Sequence, residues 1–197
     1  MPQTRNITAT EWVTGNFYLS EEEMQNNAQL VYEAFSLYGW TLEAICGVLG
    51  NMERESSINP GVWENLVEAE PNGYGLVQWT PSTNYTDWAI SYDRDITDGF
   101  YQCVWVAEES VPQGQWIETE EYPISFEQFY TSTDTVEYLA SVFLKNFERA
   151  GVEAETERQE NARKWYNYLS TIVNGGDTPV VKKKKKMPVW LMCRRFY

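Results

Sequence analysis

The sequence of 197 residues contains no histidine. Ser-His-Asp and Cys-His hydrolases both need an imidazole base, so this absence excludes those catalytic classes. It also argues against the common catalytic zinc sites, which rely on histidine ligands. The chemistry that remains is chiefly that of carboxyl groups, and the chain has 29 Asp and Glu residues. We therefore expect a carboxylate-based site, with no metal and no other cofactor.

Cysteine is also scarce. Cys46, Cys103 and Cys193 lie far apart and form no CxxC pair. This spacing argues against a metal cluster or a redox motif, and the odd number argues against a disulfide framework. Cys46 stands in an apolar helical stretch, which predicts a small residue of the hydrophobic core.

Long hydrophobic runs are missing as well. No apolar stretch approaches the roughly 20 residues that a membrane-spanning helix requires. The N-terminus lacks a basic region followed by an apolar core, so we predict no secretory signal. A chain of this length can bury a sizeable core without staples. We predict an irregular arm over residues 1–19, one domain over 20–173, and a linker and tail over 174–197.

Charge is divided unevenly along the chain. Residues 1–176 carry 8 Lys and Arg against 28 Asp and Glu, whereas residues 177–197 carry 7 against 1. An acidic domain repels phosphate, so we expect no nucleic-acid partner. In the tail, five lysines at 182–186 precede a mostly apolar segment and two arginines. That pattern predicts docking on a protein partner or, as an open alternative, contact with an anionic membrane surface.

Helix signals are strong in the first third of the domain. Ser20 and Glu23 form a capping box at the start of a helix, and Thr41 is placed to cap a second one. Apolar residues follow both caps at helical spacing, and Asn59-Pro60 is predicted to stop the second helix, because a residue before proline disfavours the α conformation. Gly47 and Gly50 lie three positions apart on the second helix, which predicts the close approach of another backbone.

The rest of the domain is also predicted to be mainly helical. Residues 56–88 are rich in Gly, Pro, Asn and aromatic residues, which predicts a long loop with at most a short hairpin. Asp134 and Glu137 resemble a capping box for a helix that ends at Gly151. A last helix is predicted from about residue 154 to 173. The architecture is thus a helical domain with one irregular, aromatic-rich segment.

Glu55 is the leading candidate for a catalytic group. At about 100° per residue, it lies on the same face as Val48 and Met52, at the end of an apolar helix face. A carboxyl group that loses hydration favours its protonated form, as a glycosidase acid requires. Glu53 is some 200° further round and is predicted to face solvent. The structural alternative is a buried carboxylate capped by its neighbour Arg54, Ser56 or Ser57.

Two motifs around this residue resemble a known superfamily. The run Glu55-Ser56-Ser57-Ile58-Asn59-Pro60 is similar to the E-S-x-F-N-P signature of goose-type lysozymes and soluble lytic transglycosylases. The run from Gly73 to Pro81, GYGLVQWTP, resembles their G-x-x-G-L-M-Q-x-x-P segment, which lines the sugar groove. The longer stretch from Gly47 through Trp63 to Trp88 is closer still to phage tail-tip lysozymes, the wall-cutting domains on the tail knobs of small podophages.

This resemblance implies both a fold and an activity. The fold would be lysozyme-like, α+β by class but mainly α, with the irregular segment forming the substrate groove. The activity would be cleavage of the β-1,4 glycan strand of bacterial peptidoglycan by a protein of the virion tail. Glu55 would be the catalytic acid. Other phage tail proteins would be partners, with contact through the C-terminal tail.

Further site residues follow from the same segment. We predict that Tyr74 and Trp79 stack on sugar rings, that Gln78 hydrogen-bonds a hydroxyl or acetamido group, and that Trp63 also contacts substrate. A core position for Trp79 is the alternative. Candidates for a second carboxylate that activates water are Glu64, Glu68, Glu70 and Asp87. Without such a partner, attack by the muramic C6 hydroxyl would give an anhydro product.

Two other classes of function fit some of these features. The same fold with an inactive site would bind the wall without cutting it or would serve as a structural tail protein. A membrane-active effector that uses the basic tail would permeabilise vesicles and release no sugar product. The presence of the acid at Glu55 favours the enzyme.

Overall fold

A computed structural model describes residues 7–151 and 154–174. Within this part of the chain the fold is mainly helical, as predicted. Seven α-helices follow in order: α1 Glu21–Ser36, α2 Leu42–Ser56, α3 Thr83–Ser91, α4 Gly99–Glu108, α5 Phe126–Tyr130, α6 Val136–Phe143 and α7 Glu155–Asn174.

Two short irregular helical turns complete the architecture. A 3₁₀ turn spans Glu64–Leu66, and a π-helical turn, Leu144–Glu148, continues directly from α6. The described residues form no sheet. Their extended pairing is limited to two isolated antiparallel bridges, from Trp63 to Tyr74 and from Tyr74 to Trp79. The irregular segment therefore contains at most a short hairpin, as predicted.

Helix α2 is the centre of the domain, packed against α1, α5, α6 and α7. A Cβ atom on Gly47 would lie 2.9 Å from backbone and side-chain atoms of Leu139 in α6. A Cβ on Gly50 would meet the backbone of α7, where Ala162 N would be 2.8 Å away. The prediction of close backbone approach at both glycines is confirmed, because only glycine leaves room for these helices.

The predicted N-terminal caps of α1 and α2 are confirmed. Ser20 and Glu23 form the reciprocal capping box, and the Thr41 hydroxyl accepts a hydrogen bond from Ala44 N. Helix α2 ends earlier than predicted, however. Ser57 adopts the left-handed conformation and donates its N–H to Glu53 O, so the helix stops before the Asn59-Pro60 pair.

The start and end of α6 correct the sequence interpretation. The cap is Thr135, whose hydroxyl accepts from Tyr138 N, whereas the Asp134 carboxylate accepts from the Ser132 hydroxyl. The following π turn ends at Glu148 because Arg149 is left-handed, with φ of 51°. Gly151 is therefore not the residue that closes this helix.

The irregular segment after α2 is held by buried side-chain hydrogen bonds. The Ser56 hydroxyl donates to Leu76 O at 2.9 Å. Gln102 of α4 accepts from Leu76 N at 2.8 Å and donates to Pro60 O at 2.6 Å. Asn59 donates to Phe17 O in the preceding arm at 2.6 Å. The loop is shorter than predicted, since α3 already begins at Thr83.

The remaining predictions divide between tested and untested ones. Cys46 and Cys103 are buried free thiols, which confirms a core position for Cys46. Among the described residues, no helix combines the length and apolar character needed to cross a membrane. The Lys-rich tail over 177–197 lies outside the described residues.

Candidate active site

An open cavity of about 640 Å³ lies at the C-terminal end of α2. One wall comes from the end of α2 and the segment that follows it. The opposite wall comes from the end of the π turn and the residues after it. The lining residues are Tyr18, Arg54, Glu55, Val62, Trp63, Glu64, Asn65, Gln78, Thr80, Glu148, Arg149, Ala150 and Gly151.

Glu55 reaches this cavity from the last turn of α2, and its side chain is 20% exposed. Its Oε1 atom lies 2.5 Å from Nη2 of Arg158, an α7 residue whose side chain is only 2% exposed. The expectation of an apolar setting for this carboxyl group is thus wrong. A buried guanidinium, brought in by the packing of α7 on α2, faces it instead.

The Arg158 guanidinium is itself held in place by a buried amide. Its Nη1 atom donates to Asn51 Oδ1 at 3.0 Å. Asn51 in turn donates to Gly47 O at 2.9 Å and to Ala140 O of α6 at 3.0 Å. Three helices therefore fix the orientation of the Glu55 carboxylate through one chain of hydrogen bonds.

Glu53 does not face solvent, which corrects another expectation. Its carboxylate is 2.6 Å from Lys164 Nζ and accepts from Trp165 Nε1 at 2.8 Å. Both partners belong to α7, which covers this side of α2. Glu53 therefore joins two helices outside the cavity, whereas Glu55, two positions later, lines it.

Three predicted site residues line the cavity with Glu55. Gln78 donates its amide to Val62 O at 3.2 Å and to Gly75 O at 3.0 Å. Trp63 is partly exposed at the cavity wall. Glu64 is exposed, and its carboxylate accepts from Gly73 N at 3.1 Å. Gln78, Trp63 and Glu64 thus share the cavity with Glu55, on its loop side.

Tyr74 and Trp79 lie in the core instead of the cavity. Tyr74 is 1% exposed, and Trp79 is 3% exposed and stacks on Tyr85 with ring centroids 4.6 Å apart. These positions correct the prediction that both rings contact sugar and bear out the core alternative for Trp79. Trp79 also packs edge-on against Trp105 of α4, with ring centroids 5.2 Å apart, and the Tyr74 hydroxyl donates to Ile96 O at 3.3 Å.

The other predicted carboxylates lie away from the cavity. Glu68 and Asp87 are exposed and do not belong to the cavity lining. Glu70 is also exposed, and its carboxylate accepts a hydrogen bond from the Ser82 hydroxyl at the start of α3. Of the four candidates for a second carboxylate, the structure brings only Glu64 into the cavity.

A further carboxyl group, Glu148, lies in the opposite wall. Its Oε1 atom is buried and has no hydrogen-bond partner in the protein. Burial and the nearby Glu55 carboxylate raise the pKa of Glu148 well above its ordinary value, while Arg158 and Arg149 act in the opposite direction. The carboxyl groups of Glu55 and Glu148 therefore lie in contrasting environments: Glu55 belongs to an ion pair, whereas Oε1 of Glu148 is buried with no hydrogen bond.

The chain is similar to known phage proteins. The family model for phage tail lysozyme matches residues 26–169, which include all of the cavity residues except Tyr18. The chain belongs to the phage tail lysozyme family. It is also 40% identical over 159 residues to Morphogenesis protein 1 of Bacillus phage B103, covering 79% of this chain and 42% of that protein. It thus spans about two fifths of the length of this relative.

Two residues in or beside the cavity, Arg158 and Glu148, were not identified from the sequence. Arg158 could have been found, because it precedes Ala162, Trp165 and Leu169 at helical spacing and so lies on the buried face of α7. A buried arginine requires a carboxylate partner. Glu148 carried no such signal, since the π turn alters the register with which its side chain leaves the helix.

Proposed function

We propose that this chain is a peptidoglycan-degrading glycosidase of a phage tail that cleaves the β-1,4 glycan strand of the bacterial wall. Glu55 is the general acid. The observation that carries this proposal is the position of its carboxylate, which ends a buried helix at the wall of an open cavity and is oriented by the buried Arg158. Such rigid placement is what a proton donor in a glycosidase needs.

The cavity has the size and chemistry of a small-ligand site. Its volume lies within the ~300–1,000 Å³ that is typical of such sites. The amide hydrogens of Gln78 are used by backbone carbonyls, so its oxygen is the group that accepts from a sugar hydroxyl or acetamido N–H. Trp63 offers a ring on which a sugar packs, and the irregular segment from Trp63 to Thr80 thus forms the loop side of the substrate groove.

In this mechanism Glu55 gives a proton to the glycosidic oxygen as the bond from that oxygen to the anomeric carbon breaks. The departing alcohol takes up that proton, and positive charge develops on the sugar ring. Attack by water gives a reducing end, whereas attack by the muramic C6 hydroxyl gives an anhydro end. Glu64, exposed at the same cavity, is a candidate to activate the attacking group.

We further propose that the protein acts at the tip of the tail while the phage enters its host. The Lys-rich tail would dock on another tail protein, and residues 20–173 would form the catalytic unit. Family membership and the phage relative support this setting. Removing residues 177–197 is expected to spare wall cleavage and to change assembly, as measured by incorporation into particles.

The test is loss of turbidity of purified Gram-positive cell walls. Wild type is compared with Glu55→Gln, which removes the proton, and with Glu160→Gln, which alters an exposed glutamate of α7 outside the cavity. We expect wild type and Glu160→Gln to clear the suspension and Glu55→Gln to be at least about 100-fold slower. Mass spectrometry of the products then distinguishes reducing from anhydro ends.

Two outcomes would contradict the proposal. Equal clearing by Glu55→Gln would remove Glu55 as the acid. If no protein cleared walls of several chemotypes and wild type only bound them, the chain would be a wall-binding or structural tail protein with a lysozyme-like fold.

A further inference from the structure

Glu148 occupies an unusual position in the backbone. It is the last residue of the π-helical turn that continues α6, directly before the left-handed Arg149. π-helical turns are rare and often occur at functional sites. This one turns the carboxyl group of Glu148 into the wall of the cavity that Glu55 also lines.

One oxygen of the Glu148 carboxyl group has no hydrogen-bond partner in the protein. Its Oε1 atom is buried and accepts no hydrogen bond, although the residue as a whole is only partly buried. The adjacent guanidinium does not supply the bond, since Arg149 Nη1 donates to Gln115 O at 2.6 Å and to Asn146 O at 2.8 Å. A buried, unpaired carboxylate is costly, so this group is stable when it carries a proton.

Charged groups from three described elements around Glu148 act on its protonation. Glu55 of α2 disfavours a second negative charge, whereas Arg158 of α7 and the adjacent Arg149 favour it. Arg54 and Glu64 line the same cavity from the α2 side. Arg158, however, pairs with the other carboxylate, since its Nη2 atom lies 2.5 Å from Glu55 Oε1. A carboxyl group beside a second negative charge keeps its proton more readily than an isolated one.

We propose that Glu148 is the proton store of the candidate site. Before substrate binds, Glu148 holds the proton and Glu55 pairs with Arg158. When a glycan fills the cavity, the proton passes from Glu148 to Glu55, directly or through one water molecule. This inference rests on the proposed glycosidase function, in which Glu55 protonates the leaving oxygen.

The proton balance closes over one turnover. Glu55 gives its proton to the glycosidic oxygen, which also takes the electron pair of the bond to the anomeric carbon. The oxygen of water, or of the muramic C6 hydroxyl, then forms a bond to that carbon. Its proton goes to the Glu148 carboxylate, which restores the starting state. The same two residues therefore serve hydrolysis and anhydro-product formation alike.

The first test is the pH dependence of wall cleavage by Glu148→Gln. Glutamine retains the shape of the neutral acid but cannot exchange the proton, so we expect activity to fall by about 100-fold or more. We also expect the pH at which the residual activity declines on the alkaline side to be about one unit or more below that of wild type. Glu160→Gln is the control. Activity within threefold of wild type, with an unchanged pH profile, would overturn the proposal.

The second test measures the thermal unfolding midpoint and does not depend on activity. A carboxyl group whose pKa is raised by folding contributes stability that is fully present below its unfolded pKa, near 4.5. That contribution is lost as pH rises toward the folded value. Glutamine has no proton to lose. Glu148→Gln should therefore unfold about 2 °C or more above wild type at pH 7, and this advantage should shrink toward pH 4.

These measurements separate the inference from the function on which it rests. If wild type cuts walls and Glu148→Gln does so equally well, the proton store is wrong and the proposed function stands. If wild type cuts no wall, the proposed function fails. If Glu148→Gln has no higher Tm than wild type at pH 7, Glu148 is not protonated in the folded protein and the proton store is wrong as well. If Glu148→Gln does not fold, Glu148→Asp takes its place, because aspartate keeps an ionisable group. Its wall-cleaving activity must then decline at the same alkaline pH as that of wild type.

Discussion

The two walls of the cavity are built in different ways. The loop-side wall comes from one stretch of chain, residues 54–80, closed by short-range hydrogen bonds such as that from Gln78 to Gly75 O. The opposite wall comes from the end of the π turn and the residues after it. The guanidinium behind Glu55 comes from the start of α7, with Arg158 103 positions after Glu55. The first wall is a local motif, and the second exists only because three helices pack together.

This difference predicts different consequences of substitution. On the helical side, residues both hold the fold and orient the carboxyl groups, so changes there should alter stability and activity together. On the loop side, exposed residues should alter substrate binding with little effect on unfolding. The following substitutions test this contrast.

Arg158→Met should have the largest effect. It leaves the carboxylate of Glu55 and the amide oxygen of Asn51 without their buried partner. Breaking one side of a buried ion pair costs about 3–5 kcal/mol, and a misoriented acid should lose about 100-fold or more in wall-cleaving rate. Arg163→Met, on the exposed side of the same helix, should change stability by less than about 1 kcal/mol. Comparable unfolding midpoints for the two variants would contradict the helical-side account.

Tyr74→Ala tests whether a ring in the loop-side motif belongs to the core. Removing an aromatic side chain that is 1% exposed should cost about 3 kcal/mol in the free energy of unfolding. Chemical denaturation measures this loss. A raised KM for wall substrate without a stability loss would restore the prediction that this ring contacts sugar.

Gly50→Ala tests how closely α7 must approach α2. The added methyl group would meet the backbone of α7 near Ala162, so the helices must separate and carry Arg158 away from Glu55. We expect a loss of about 1–3 kcal/mol in stability, together with slower wall cleavage. If the variant is as stable as wild type, the stability of the fold does not depend on the close approach of α7 to α2 at this position.

Gln78→Asn should have the smallest effect on stability. Gln78 has a positive φ of 48°, which asparagine tolerates better than most residues. The shorter side chain should no longer reach Val62 O and should present its oxygen differently to substrate. We expect KM to rise by roughly 3–10-fold, equivalent to about 1 kcal/mol, with a nearly unchanged unfolding midpoint. A large drop in that midpoint would place Gln78 with the structural residues.

Much of the helical fold was predictable because its signals are local. A cap such as Ser20 with Glu23 depends on residues three apart, and the apolar face of α2 is readable from its own spacing. The ends of helices were less predictable. The π turn after α6 replaced an expected helix end at Gly151, and α2 stopped before Asn59-Pro60, since left-handed residues there depend on contacts from elsewhere in the chain.

The candidate site was predictable only in part, and for the same reason. Glu55, Gln78, Trp63 and Glu64 lie in or near short motifs and do line one cavity. Tyr74 and Trp79 belong to the same segment, yet the direction of their rings depends on how the hairpin packs against α3 and α4. No local pattern distinguishes an aromatic ring of a groove from one of the core.

By itself the sequence determined the chemistry that is available, the order of the helices and the position of Glu55 at the end of an apolar helix face. These depend on composition and on neighbours within one or two turns. Only the tertiary structure decided that Arg158 pairs with Glu55, that Glu53 faces α7, and that Oε1 of Glu148 is buried without a hydrogen bond. Charge pairing and burial are properties of surfaces that meet in space, and the residues concerned lie about a hundred positions apart in the chain.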